Sequence, residues 1–128
     1  MADISKIKLE STTYDIKDST SHNMGIYSTT ETAIGKWTDD STIYRKVITG
    51  TTGSNDSPKN IGNIANIDKV INIYGTLTAS LQRIPLNFVY NTSQNSLYVE
   101  SGNIMLRTTA SGYQSKDVIV IVEYTKTS

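Results

Sequence analysis

Residues 118–124 read Val-Ile-Val-Ile-Val-Glu-Tyr, and no other stretch narrows the choice of fold so far. Five successive β-branched side chains are stiff at χ1 and suit a pleated surface better than a helix. A continuous run of this kind predicts a strand buried on both faces for most of its length, central in a sheet, with Glu123 turning outward near the end. The rest of the chain agrees. Thr, Ile, Val and Tyr are frequent, Ala is rare, and Asn, Ser and Gly supply turns. Its 128 residues fit one domain better than two. The expected fold is all-β, an antiparallel, jelly-roll-like β-sandwich preceded by a short N-terminal arm or hairpin.

The strand pattern can be followed along the chain. Residues 6–10 and 13–17 read as two short strands around Ser11-Thr12. Residues 1–24 form an arm carrying Ile4, Ile7, Leu9, Tyr14 and Ile16, too apolar for a free tail and too small for its own core. These five residues are the candidate assembly contacts, and residues 25–128 are the sandwich domain. Gly35-Lys36-Trp37 and residues 42–48 form a hairpin about Thr38-Asp39-Asp40-Ser41, with Tyr44, Lys46 and Ile48 on one face and Ile43, Arg45 and Val47 on the other. Residues 50–60 form the longest loop, with little to anchor it. Ile61, Ile64 and Ile67, spaced by three, predict a helical turn or irregular segment. Residues 68–79 and 84–90 are strands, and Pro85 belongs at a strand start or an edge. Ser101-Gly102 marks a hairpin between residues 95–100 and 103–109, followed by a turn over 110–116.

The inventory of reactive groups is thin. The chain has no cysteine, which excludes disulfides, thiolate metal sites and cysteine nucleophiles. Its one histidine, His22, lies in the polar end of the arm without the partners that acid–base chemistry or zinc requires. Asp39-Asp40 lacks the alternating oxygen ligands of a calcium loop and reads as turn chemistry. No catalytic residue, cofactor or metal is expected. Twelve basic and twelve acidic side chains cancel, so nucleic acid is not an expected partner. No apolar run is long enough to insert in a membrane, and Met1–Lys6 lacks a signal core, which predicts cytoplasmic synthesis. Among the aromatics, Trp37 is expected to anchor the core. Tyr98 and Tyr113 are the candidate glycan or partner contacts, with Tyr113 the more exposed in its Gly-containing turn.

Two motifs carry a resemblance. Residues 34–46, Ile-Gly-Lys-Trp-Thr-Asp-Asp-Ser-Thr-Ile-Tyr-Arg-Lys, resemble a G-x-W-x-D-G-x-x-I-Y-R-K signature of bacteriophage and prophage tail, fibre and other virion proteins. Residues 7–18 are similar to a second segment of phage structural proteins, I-K-L-x-x-G-x-x-Y-x-I-K-D, and Val120–Lys126 resembles the end of the same β modules. Asp40 stands where the signature has glycine, and Ser11-Thr12 lacks the glycine of the second motif. The resemblance implies a virion structural protein of a fibre, tail or head decoration, made in the bacterial cytoplasm. It also implies a homotrimer, other virion proteins as partners, host-surface glycan as a target, and a structural role for Trp37, Asp39, Tyr44 and Arg45. The alternative expectation is a carbohydrate-binding module that uses exposed aromatic residues.

Overall fold

A computed structural model describes residues 6–9, 12–15, 25–90 and 93–127. Strands are numbered along the chain. β1 (Lys6–Leu9) and β2 (Thr12–Asp15) form an antiparallel ribbon of their own. A five-stranded antiparallel sheet has the order β3 (Thr32–Lys36), β4 (Thr42–Thr51), β11 (Asp117–Lys126), β6 (Ile67–Ala79), β7 (Gln82–Pro85). A four-stranded antiparallel sheet has the order β5 (Lys59–Asn63), β10 (Asn103–Thr108), β9 (Ser93–Glu100), β8 (Phe88–Tyr90). The two sheets pack face to face as an all-β sandwich. No helix among the described residues is long and apolar enough to cross a membrane.

The core lies between the sheets. Leu77 of β6 and Val118, Val120 and Val122 of β11 meet Leu97 of β9 and Ile104 and Leu106 of β10, all buried. Side-chain alternation along each strand places these residues on inner faces. Position 124 continues the inner row. Tyr124 is fully buried, its hydroxyl donates to the Glu31 carboxylate, and Lys126 Nζ reaches the other carboxylate oxygen at 3.1 Å. This lock ties the segment ahead of β3 to the central strand.

β11 is central as expected, bonded to β4 on one side and β6 on the other. The expectation of two buried faces is corrected. The second sheet covers only one face, so Val118, Val120 and Val122 are buried while Ile119 is 49% exposed. Ile61–Ile67 is not a helical turn. Ile61 lies in β5, Ile64 is buried in the connection, and Ile67 opens β6, with the chain reversing through Asn66 at φ 59°. Residues 84–90 are not one strand either. The chain leaves β7 and enters β8 of the other sheet through Asn87 at φ 65°, whose Oδ1 accepts from the Leu97 N–H at 2.7 Å. Pro85 ends β7, an edge strand, where its missing N–H removes no ladder bond.

The loop expected over residues 50–60 is shorter and firmly based. β4 extends through Thr51, and Thr52 is 2% exposed. Its hydroxyl donates to the Tyr113 carbonyl at 2.6 Å and accepts from the Lys116 N–H at 2.9 Å. The exposed part is residues 54–58, where Arg107 Nε donates to the Asp56 carbonyl at 2.7 Å. A polar anchor does there what the sequence pattern sought in apolar side chains. Ser101 and Gly102, at φ 52° and 79°, close the β9–β10 hairpin with the double positive φ of a tight primed turn. In the ribbon, Leu9 pairs Thr12, so β2 begins one residue earlier than expected, while residues 10, 16 and 17 of the expected strands lie outside the described residues.

Candidate functional site

The signature residues build one corner of the five-stranded sheet. At the β3–β4 turn the Trp37 N–H donates to the Ser41 carbonyl at 2.8 Å and the Asp40 N–H to the Trp37 carbonyl at 3.0 Å. Asp40 takes φ 70°, a left-handed conformation that glycine adopts most readily and Asp tolerates. Asp39 Oδ1 accepts from the Ser41 N–H at 3.0 Å. Hydrogen bonds from Ser41, with a smaller contribution from the Lys69 charge 3.7 Å away, hold the Asp39 carboxyl below its ordinary pKa. Asp39-Asp40 is therefore turn chemistry. Trp37 is half-buried at the tip of an edge hairpin and does not belong to the core, which corrects the expectation of a core anchor.

β4 alternates as expected, with Tyr44 and Ile48 inward and Arg45 and Val47 outward. Tyr44 packs on the core, its ring centroid 6.0 Å from that of Tyr124. Arg45 is buried although it lies on the outer face. Its Nε and Nη2 contact Glu123 Oε2 at 2.9 and 2.8 Å, its Nη1 donates to the Ile26 carbonyl at 3.3 Å, and its guanidinium lies 4.3 Å from the centre of the Tyr27 ring. A planar fork makes such a three-way clamp possible where a lysine would not. The Ser28 carbonyl then accepts from the Val47 N–H at 2.9 Å. Arg45 thus fastens the incoming chain to β4 and β11 together.

Beside this clamp, among the described residues, the outer face of the five-stranded sheet is uncovered. The registers line up Arg45, Glu123 and Asn72, then Val47, Ile121 and Tyr74, then Thr49, Ile119 and Thr76 across β4, β11 and β6. Ile119 is 49%, Tyr74 39% and Tyr27 57% exposed. Partial burial, then a hydrogen bond with Tyr27, raises the Tyr74 pKa. A recess of about 530 Å³, lined by Thr49, Thr51, Thr78, Asp117 and Ile119 among others, extends this surface. Antiparallel strands with a solvated face normally alternate apolar-in with polar-out. Here two outward positions of the central strand are isoleucines, Ile119 and Ile121, lying between Asp117 on one side and the Arg45–Glu123 pair on the other.

The other candidates are dispersed. Tyr98 lies on the outer face of the four-stranded sheet, opposite Met105, 36% exposed. Tyr113, expected to be the more exposed of the two, is instead half-buried against the core in the 3-10 turn Ser111–Tyr113. Trp37, Tyr98 and Tyr113 do not converge on one surface. Of the arm contacts, Ile7, Leu9 and Tyr14 occupy β1 and β2, while Ile4, Ile16 and also His22 lie outside the described residues. Among the described residues no three His, Asp or Glu side chains gather as a metal site would need. Tyr27, Glu31, Tyr74 and Ile119 had no motif to single them out. The signal available for Ile119 was its place in a strand with no polar alternation. No protein-family model matches the sequence, and neither a curated protein nor a solved structure matches it.

Proposed function

We propose that this chain is a non-catalytic structural module of a bacteriophage particle, acting through assembly with copies of itself and with other virion proteins and through attachment to the host surface. The observation that supports the reading best is the apolar outer face of the five-stranded sheet, centred on Ile119 and Ile121 and bordered by the signature residue Arg45. A contiguous apolar surface on a small domain marks an interaction site. The sequence resemblance supplies the virion context and favours a homotrimer. Mass spectrometry of purified phage particles from the bacterial strain that carries the gene tests the reading. The chain is expected to band with intact particles in a density gradient, and its confinement to the free protein fraction would refute a virion role.

Glycan attachment is the second reading. Tyr98 favours it, because its aromatic ring is accessible on the outer face of the four-stranded sheet, away from the proposed assembly surface. Binding on a glycan array that is lost in Tyr98→Ala supports this reading, and an array without signal removes it.

A further inference from the structure

We infer that a polar cleft at the end of β4 is a binding site for an acidic sugar, a hydroxylated ring that carries a carboxylate. The cleft holds about 540 Å³ between residues 51–60 and Ser115. Most ligand sites of such size are lined by apolar and aromatic side chains. This one is lined by Thr51, Ser54, Asn55, Ser57, Lys59 and Asn60 among others, and Pro58 is its one apolar side chain among the described residues. An apolar ligand, or the apolar side chains of a peptide, would find little to bury against. Hydroxyl and amide groups match the hydroxyls of a sugar, because they can donate and accept. Tyr98 does not line the cleft, so the site stands apart from the glycan contact proposed above.

The cleft offers more donors than acceptors. Lys59 opens β5, is half-buried, and donates from Nζ to Thr51 Oγ1 at 2.8 Å. An ammonium carries three donors, and this hydroxyl takes one. No described Asp or Glu lines the cleft or forms an ion pair with Lys59, although Asp117 stands opposite Thr51 in register. The asparagines tip the balance further. Asn55 Oδ1 accepts from the Ser57 N–H at 2.9 Å and Asn60 Oδ1 from the Gly62 N–H at 3.0 Å, which leaves each amide nitrogen to donate to a ligand. A partly buried ammonium with a neutral partner gains from an anion brought to it. The walls are already in place, which spares the cost of ordering them. Thr52 is tied to Tyr113 and Lys116, the Ser115 N–H donates to the Gly53 carbonyl at 3.1 Å, and Arg107 holds the Asp56 carbonyl.

The test follows the amide resonances of the isotope-labelled full chain by NMR during titration with sodium glucuronate, glucose and sodium acetate. Glucuronate should shift the resonances of residues 51–60 and 115 in the millimolar range, about tenfold more tightly than glucose or acetate. Lys59→Gln should weaken glucuronate about tenfold and remove its advantage over glucose, while Lys59→Arg should keep that advantage. Lys36→Gln is the control, since Lys36 Nζ makes the same kind of contact with Thr42 Oγ1, at 3.1 Å, outside the cleft. Neither Lys36→Gln nor Tyr98→Ala should change the binding. Acetate binding as tightly as glucuronate overturns the inference and leaves a site for anions without preference for a sugar. Equal losses in Lys59→Gln and Lys36→Gln overturn it as a general effect of charge. Shifts confined to other residues, or none, overturn it as well. Loss in Tyr98→Ala alone overturns the cleft site while it sustains the glycan reading at Tyr98.

Discussion

Adding one methyl group at Gly75 should cost this protein a large share of its stability. Gly75 lies in β6, pairs with Val120 of the central strand, and its carbonyl accepts from the Leu86 N–H at 2.9 Å. A Cβ there would sit 2.2 Å from the Ile119 carbonyl oxygen and 3.0 Å from both the Val120 Cα and the Leu86 Cδ1. An ordinary carbon–oxygen contact is about 3.3 Å, so β6 and β11 must part by roughly 1 Å. β11 cannot yield freely, because β4 holds its other side through eight residue pairs. Weakening two ladder hydrogen bonds at about 1 kcal/mol each, with about 1–3 kcal/mol of overpacking, gives a loss of about 3–5 kcal/mol for Gly75→Ala. Urea unfolding followed by tryptophan fluorescence measures it, and the midpoint should fall by roughly 2 M. Gly35→Ala is the control. No described residue has an atom within 4 Å of its added Cβ, and the stability should stay level or rise by about 0.4–1 kcal/mol. A loss below about 1 kcal/mol for Gly75→Ala would refute the argument that β6 and β11 touch backbone to backbone there.

Three further outcomes are expected. Trp37→Ala should cost about 1–2 kcal/mol in chemical denaturation, below the roughly 3–5 kcal/mol of a core aromatic, because the ring is only half-buried at a hairpin tip. Burial, then the hydrogen bond to Glu31, raises the Tyr124 pKa well above the ordinary phenol value of about 10. Above pH 10 the unfolded chain releases a proton that the folded chain keeps, so stability falls with rising pH, by up to about 1.4 kcal/mol per unit for this group. Tyr124→Phe should flatten that decline in pH-dependent melting, and an unchanged slope would exclude Tyr124 as its source. Thr108 and Asn95 form a buried cross-strand pair in which the Thr108 hydroxyl and both Asn95 amide atoms have no hydrogen-bond partner among the described residues. Thr108→Val removes the orphan hydroxyl at nearly constant shape and should raise stability by about 0.5–1.5 kcal/mol in the same denaturation assay, whereas a loss would mean the hydroxyl is satisfied.

Local chemistry explains which features could be read from the sequence. Ser101-Gly102 announced its hairpin because both central residues of that turn need positive φ. The valine–isoleucine run announced a central strand because β-branched residues favour a pleated surface. The same run misled about its second face, since a strand covered on both sides and a strand with one exposed face can carry the same residues. The break at Asn87 was hidden because a corner between sheets needs one positive-φ residue, which asparagine supplies without a glycine signal. Thr52 was hidden for another reason. Its anchoring bonds reach residues about sixty positions away. The outer face was only partly legible. Arg45 and Tyr44 stood out by resemblance, but the meeting of Tyr27, Tyr74 and Ile119 depends on pairing registers that no local pattern encodes.

The fastening of the incoming chain also decides how the module responds to force. A pull on the arm reaches residue 25 and meets three attachments in series, besides the contacts of Tyr27 with Arg45 and Tyr74. These are Arg45 on the Ile26 carbonyl, the Ser28 carbonyl on Val47, and Glu31 on Tyr124 and Lys126. All three lie outside the β4–β11 ladder, whose eight pairs share a load among many bonds. The attachments yield one at a time, while the ladder must yield together. Tension therefore frees residues 25–31 first, adding about 20 Å of slack at roughly 3.4 Å per residue, with the sandwich still folded. A module pulled by its arm would therefore lengthen under sudden strain before its sandwich unfolds.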